Sequence, residues 1–408
     1  MNTEESARTP CVERSKQLLA RSDELIVPGC LVHKRNHDML DKGYPVYARK
    51  AEGAHFWDAD DNKYLDYLMG FGPIVLGHAH PAVIEAVERQ MREGIVYSVG
   101  HLLELELAER ILSKIPWAER LAFMIGGSGA TTAAIRLARA VTGRDLVLRC
   151  GYHGWHDWTT PFVAGVPPTT RALSIEFPYN DLDTLADLLE QHGGRAAAVI
   201  VETLRFRGPE QGFLQGCIDL AHEHGALCIF DEVKTGCRID IGGVSVREGL
   251  TPDMATYGKA WGNGLPASFV AGTEEVMTTD AAKRVWIAAT FHADTLSLVA
   301  IRTVLDHLES CDGIAHQWRM GERLMAGVNA ACEAGGVSYR LRGWGPMPNP
   351  ENDESDNERV LDMLRRCLCR GVYLHHNHGM FLSLAHTEED IDRTIAVVRD
   401  SLAEGSTT

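Results

Sequence analysis

Two residues in the middle of this chain have the types and spacing to do chemistry together, Asp231 and Lys259. Leu227-Cys228-Ile229-Phe230 is a short apolar run rich in β-formers. It stops abruptly at Asp231-Glu232, as a buried parallel strand does when it delivers a carboxylate to its C-terminal edge. A second, weaker strand, Met254-Ala255-Thr256-Tyr257, runs into Gly258-Lys259-Ala260-Trp261-Gly262-Asn263-Gly264-Leu265-Pro266, where glycines let backbone and ligand approach the lysine closely. A lysine amine can hold an aldehyde as a Schiff base. A carboxylate at a neighbouring strand end can keep a ring nitrogen protonated so that the ring accepts electrons.

Placing these two groups side by side takes a parallel sheet, and the flanking sequence supplies one. Leu121–Ile125 reads as a buried strand that enters Gly126-Gly127-Ser128-Gly129-Ala130-Thr131 and then a helix from Thr132 to Thr142, closed by Gly143. A strand, a glycine-rich turn and a helix N-terminus make an anion site, because exposed backbone N–H groups and the helix dipole point the same way. No Lys-Ser/Thr follows the glycines, so this is not a Walker loop. Strands are also expected at Asp145–Arg149, at Arg195–Val201, which delivers Glu202 to the sheet edge, and at Ser268–Gly272. The helix Phe213–His224 completes a right-handed strand-helix-strand unit. Further helices are expected over Cys11–Ile26, Pro81–Met91, Leu102–Ile115 and about Asp294–Leu308, and a small antiparallel sheet around Asp60-Asp61-Asn62. Asn349 to Glu358 reads as an acidic loop rich in proline and asparagine. The expected fold class is α/β, with a large domain (residues 81–310) whose mostly parallel sheet is sandwiched by helices. A smaller α+β domain is built from the N- and C-terminal segments, residues 1–80 and 311–408.

Phe230-Asp231-Glu232-Val233-Lys234-Thr235-Gly236-Cys237-Arg238, followed by Gly258-Lys259-Ala260 and Gly264-Leu265-Pro266, resembles the class III (ornithine/glutamate-semialdehyde) aminotransferases of the fold-type I pyridoxal-phosphate enzymes. The likeness runs from about Pro28 to Val398 and includes Leu76-Gly77-His78-Ala79-His80-Pro81 and the terminal segment Leu382–Asp392. It implies pyridoxal 5'-phosphate as cofactor, with Lys259 as its Schiff-base partner and proton carrier and Asp231 beneath the pyridine nitrogen. Gly127 and Ser128 take the Gly-Thr positions of the phosphate loop, although Gly129 stands where a glutamate is usual. Tyr152 and Val233 would cover the two ring faces, Glu202 would lie near the cofactor, and Thr290 would reach the phosphate of the neighbouring subunit in a homodimer. Arg35, Phe71, His292 and His376 become candidates to contact substrate, with His33 beside Arg35. The segment Ala289–Thr295 departs furthest from the family pattern, and Thr203 replaces the proline that usually follows Glu202.

Composition narrows the remaining classes. The 408 residues are 45% hydrophobic, enough for a large core and a satellite domain. A formal net charge of −16 and the lack of a long basic run argue against a nucleic-acid partner. The polar, acidic start Met1–Ser6 has no apolar segment behind it, and no window reaches transmembrane length, so a cytoplasmic enzyme with no membrane partner is expected. The ten cysteines read as reduced thiols. His375, His376 and His378 form a histidine-rich turn, but no further convergent donor is evident and no metal is expected.

The resulting expectation is an aminotransferase that moves an amino group from a small-molecule donor, L-glutamate by family habit, to a ketone or aldehyde. The acceptor is expected to be cyclic or hydroxylated and to belong to secondary metabolism. The reading that competes with it is glutamate-1-semialdehyde 2,1-aminomutase, against which stand the rewritten Thr290 loop and the missing glutamate between His375 and Met380. A non-catalytic cofactor-binding protein on the same fold is disfavoured by the joint presence of Lys259, Asp231 and the phosphate loop.

Overall fold

The computed structural model describes residues 12–27 and 43–405, which separate into two compact units. The first holds the described residues up to Gly72, Leu76–His80 and those from Ala315 on; the second holds Pro73–Val75 and Pro81–Ile314.

The first unit begins with the helix Glu13–Leu25 and the strands β1 (Ala48–Glu52), β2 (His55–Asp58) and β3 (Lys63–Asp66). The alternation around Asp60-Asp61-Asn62 becomes an antiparallel β1-β2-β3 meander, tightened by Asp58, whose Oδ1 accepts from the backbone N–H of Asp60 and Asn62.

The second unit carries the large sheet: β4 (Arg120–Ile125), β5 (Leu146–Cys150), β6 (Ser174–Glu176), β7 (Ala196–Glu202), β8 (Leu227–Asp231), β9 (Met254–Tyr257) and β10 (Ala267–Gly272). Their order is β4-β10-β9-β8-β7-β5-β6. All pairings are parallel except those of β10, which runs against both β4 and β9. Every residue of β7, β9 and β10 is buried, as a sheet covered by helices on both faces requires. The helix Gly126–Thr142 lays Ala130, Ala133, Ala134, Ile135, Leu137 and Ala138 into this core, its alanines allowing close approach.

The helix starts six residues earlier than the sequence reading placed it. Gly126 turns the chain within one residue at φ +64°, so the glycine-rich stretch is the helix's own first turn.

The first unit resumes at Ala315, within the helix Gly313–Ala334, and continues with the hairpin β11 (Arg340–Trp344) and β12 (Met347–Glu351), the helix Asn357–Cys369, and β13 (Val372–Tyr373), which joins β3 in parallel. The stretch read as a loop from Asn349 is therefore strand up to Glu351 and helix from Asn357. Pro348 and Pro350 sit in a two-stranded sheet, where a missing N–H interrupts no central ladder. The eight cysteines among the described residues are all free thiols, and no described helix is long and apolar enough to cross a membrane.

Candidate cofactor site

Register decides which side chains meet. Glu202 on β7 pairs with Asp231 on β8, and Asp231 pairs with Thr256 on β9, so three strands end level at one edge. Two residues beyond Thr256 the chain passes Gly258 and places Lys259 at the start of a short 3-10 turn, Lys259–Gly262. Lys259 itself is held at φ +48°, a left-handed conformation costing a side chain about 1–2 kcal/mol. Such strain persists where surrounding structure over-determines it. Here Ala260 and Trp261 anchor the turn in the core, and Asn263 Oδ1 accepts from Val75 N–H at 2.9 Å.

Asp231 is 6% exposed. Its Oδ2 accepts from His153 Nδ1 at 2.8 Å, and its Oδ1 accepts from Val233 N–H at 3.0 Å, with Thr256 Oγ1 at 3.5 Å. A carboxylate partner fixes the proton of His153 on Nδ1. His153 Nε2 is buried with no hydrogen-bond partner among the described residues, and its ring stacks on Trp158 at 6.2 Å and 10°. His153 went unassigned in the sequence reading. Its place in Tyr152-His153-Gly154 at the end of β5, beside the aspartate strand's neighbour, was the available signal.

Glu202 is fully committed within the protein. Oε1 pairs with Lys234 Nζ, while Oε2 receives Tyr152 N–H at 3.0 Å and Arg205 Nε at 3.3 Å. Burial would raise its pKa, but Lys234 and His153 outweigh burial and hold the carboxyl below its ordinary range. Tyr152, half exposed, is thus fixed through its backbone. Gly151 makes this possible: at φ +116°, a Cβ there would stand 2.4 Å from Glu202 Oε2.

The first turn of Gly126–Thr142 comes up to the same edge. No side chain caps this end; Gly126 N–H donates to Pro266 O at 2.9 Å, and the N–H groups of the rest of the first turn are those a helix start leaves over. A Cβ on Gly127 would lie 2.8 Å from Val233 Cγ1, and one on Gly154 would lie 2.4 Å from Ser128 Oγ. Gly127, Ser128, Val233, Asp231 and His153 therefore belong to one cluster. Burial, then Lys234, pushes the Lys259 amine down to about 8, against the opposing pull of Glu202 and Asp231.

Thr290 is exposed between Trp286 (78% exposed) and Phe291 (59%), and its side chain makes no hydrogen bond among the described residues. His292 is partly buried, and that burial lowers its pKa. In the first unit, Phe71 meets His378 edge-on at 5.0 Å and His375 stacks on His376 at 4.9 Å. No group of three His, Cys, Asp or Glu that could hold a metal occurs among the described residues. Arg35 and His33 fall outside the described residues.

The family model described as aminotransferase class-III matches residues 38–402. The chain belongs to the class-III aminotransferases. It is 31% identical over 402 residues to a 3-aminobutyryl-CoA aminotransferase from Cloacimonas acidaminovorans (strain Evry), covering 96% of this chain and 97% of that one. It is 34% identical over 400 residues to a glutamate-1-semialdehyde 2,1-aminomutase from Chloroflexus aggregans (strain MD-66 / DSM 9485), covering 89% and 91%. Among solved structures, the FumI protein of Sphingopyxis sp. MTA144 in its PLP internal aldimine form superposes with a TM-score of 0.90 at 29% identity, 97% of each chain being covered. This class-III aminotransferase is accordingly a pyridoxal-phosphate enzyme of the α/β class.

Proposed function

We propose that this aminotransferase carries an amino group from a donor amino acid, L-glutamate, to an external ketone or aldehyde, a cyclic or hydroxylated acceptor of secondary metabolism. The residues present fit pyridoxal phosphate: an uncapped helix N-terminus for a phosphate, a cradle at Gly127 that a Cβ would fill, and a lysine whose amine is held near pKa 8. When bound, the cofactor supplies an aldehyde for the donor amine and a protonated ring that accepts the electron pair left on the substrate carbon.

The chain's own residues do the rest. Gly127 and Ser128 offer backbone N–H groups to the phosphate, and Thr290 reaches the neighbouring subunit's phosphate in a homodimer. Exposed Trp286 and Phe291 on either side of Thr290 support that assembly, since apolar side chains exposed together mark contact surfaces. Val233 and Tyr152 cover the ring faces, and Glu202 acts by fixing Tyr152. Asp231 holds the ring nitrogen protonated with the acceptor capacity left on Oδ2. Lys259 Nζ, once free, would take the proton from the substrate carbon and deliver it two atoms along, to the cofactor carbon beyond the shared nitrogen. Phe71, His292, His376 and Arg35 are assigned to the acceptor. A cytoplasmic setting is supported by the free thiols and the acidic charge.

The observation that carries the external-acceptor reading is the segment His375–Met380. It has rings, stacked and edge-on, where the aminomutases of the resemblance carry a glutamate. The 34% identical aminomutase favours the second reading, glutamate-1-semialdehyde 2,1-aminomutase. An absorbance spectrum before and after L-glutamate, with the semialdehyde in parallel, separates them. Glutamate is expected to convert the cofactor to its amine form. A spectrum unmoved by glutamate, together with turnover of the semialdehyde, would establish the aminomutase.

Two further results are expected. Gly127→Ala should loosen pyridoxal phosphate by about tenfold, because its Cβ must displace Val233 or the phosphate turn, each tenfold being about 1.4 kcal/mol. Equilibrium dialysis reads the affinity, and an unchanged value would remove this turn from the site. Because only unprotonated Nζ adds to an aldehyde, the rate of cofactor capture by apoenzyme should rise with pH through a midpoint near 8. An ordinary lysine would give about 10.4. Stopped-flow absorbance across that range decides between the two midpoints.

A further inference from the structure

Behind the two carboxylates at the strand ends lies a third, Glu232, which the cofactor site does not use. Glu202 and Asp231 face each other in register at the ends of β7 and β8, and alternation along a strand sends the side chains of the next residues, Thr203 and Glu232, the other way. Both are fully buried. Thr203 Oγ1 donates to Glu232 Oε2 at 2.9 Å, so a side-chain bond joins the two strands one residue beyond the pair at the cofactor edge. Thr203 N–H also donates to Asp231 O, at 3.4 Å. A proline at this position, the usual residue in the family pattern, could make neither bond.

Glu232 gathers donors from several segments. Its Oε2 also accepts from Thr235 Oγ1 and from Val244 N–H at 3.0 Å, and its Oε1 accepts from Ser245 N–H at 2.8 Å. Burial raises the pKa of this carboxyl against the opposing pull of these donors. The Glu232 carbonyl oxygen accepts from the N–H groups of Thr235 and Gly236 at 3.2 and 3.0 Å. The turn that carries Val233 is therefore closed on Glu232 by side chain and backbone alike, while Asp231 Oδ1 accepts from Val233 N–H at its start. A buried polar network satisfied in this way holds one geometry. Resting on the assignment of Asp231 and Val233 to the pyridine ring, we propose that Thr203 and Glu232 are positioning residues for the transamination: the bond between them fixes the end of β8 to that of β7, and with it the aim of the Asp231 carboxylate and the place of Val233. They act through the strand ends and the turn, not by contact with the ring.

The test titrates holoenzyme of the wild type, Thr203→Val, Thr203→Ser and Asp231→Asn with pH while following the visible absorbance of the bound cofactor. Valine matches the branched shape of threonine without its donor, and serine keeps the donor. Asp231→Asn is expected to displace the pH midpoint, Thr203→Val to displace it in the same direction by less, and Thr203→Ser to keep the wild-type midpoint. Equilibrium dialysis of apoenzyme against pyridoxal phosphate should show Thr203→Val weaker by about threefold to tenfold, and Thr203→Ser equal to wild type. A midpoint and an affinity both unmoved in Thr203→Val, whatever its melting temperature, would show that the bond only stabilises the fold. A serine variant displaced as far as the valine variant would assign the effect to packing. Either result overturns the proposal and leaves the ring assignment standing, provided Asp231→Asn moves the midpoint; if it does not, that assignment fails and the proposal with it. Should Thr203→Val not fold, Thr203→Cys, which offers only a weak donor, takes its place in the comparison with serine.

Discussion

Lys259→Ala is expected to lower the glutamate half-reaction by about 10⁴-fold, the upper end of what a positioned general acid–base contributes, while the protein stays folded. The reason lies in how the residue is presented. The chain holds Lys259 at φ +48° on a turn anchored by buried Ala260 and Trp261, and burial lowers its amine to about 8, so near neutral pH it can both give up and regain a proton. Alanine at the same position keeps the turn and removes the amine. Single-turnover absorbance with L-glutamate reads the loss. Added ethylamine should restore part of the rate, which a folding defect would not allow. A variant retaining a tenth of the wild-type rate would remove Lys259 from catalysis.

Asp231→Asn should lower kcat by about 10²–10³-fold and leave the donor KM within about threefold, because the charge it supplies matters when the substrate carbon is anionic, not when substrate binds. The change is nearly isosteric. The amide is a poor substitute nonetheless, since its nitrogen cannot accept from Val233 N–H or His153 Nδ1, both of which the carboxylate now satisfies. The loss is therefore electrostatic together with a rewired His153, and the KM-against-kcat split in steady-state kinetics identifies it. A rise in KM with kcat unchanged would show that Asp231 only holds the site together.

The strands of the large unit were legible because a parallel sheet covered on both faces must be continuously apolar, and Ala197–Val201 or Cys228–Phe230 leave few alternatives. Their ends were legible for the same reason: a charge such as Asp231 ends the apolar run, although the carboxylate itself is buried. The hairpin at Met347–Glu351 was not, because two prolines and an asparagine carry no strand signal by themselves and are tolerated only where a single partner strand, β11, is available. The start of the helix at Gly126 was also hidden, since glycine has poor helix propensity and its role there is set by a positive φ.

For the site, the sequence by itself determined which groups stand at strand ends: Glu202, Asp231 and, one turn past Tyr257, Lys259. Local pattern suffices for that, because the end of an apolar run is a property of consecutive residues. Only the tertiary structure decided what each group touches. Register set Glu202 level with Asp231, yet the first is spent on Lys234, Arg205 and the backbone of Tyr152, while the second accepts a hydrogen bond from His153, 78 residues away in the chain. The wiring rests on distances between strands and on the space glycine leaves at Gly127 and Gly151, and these exist only once the sheet has closed around them.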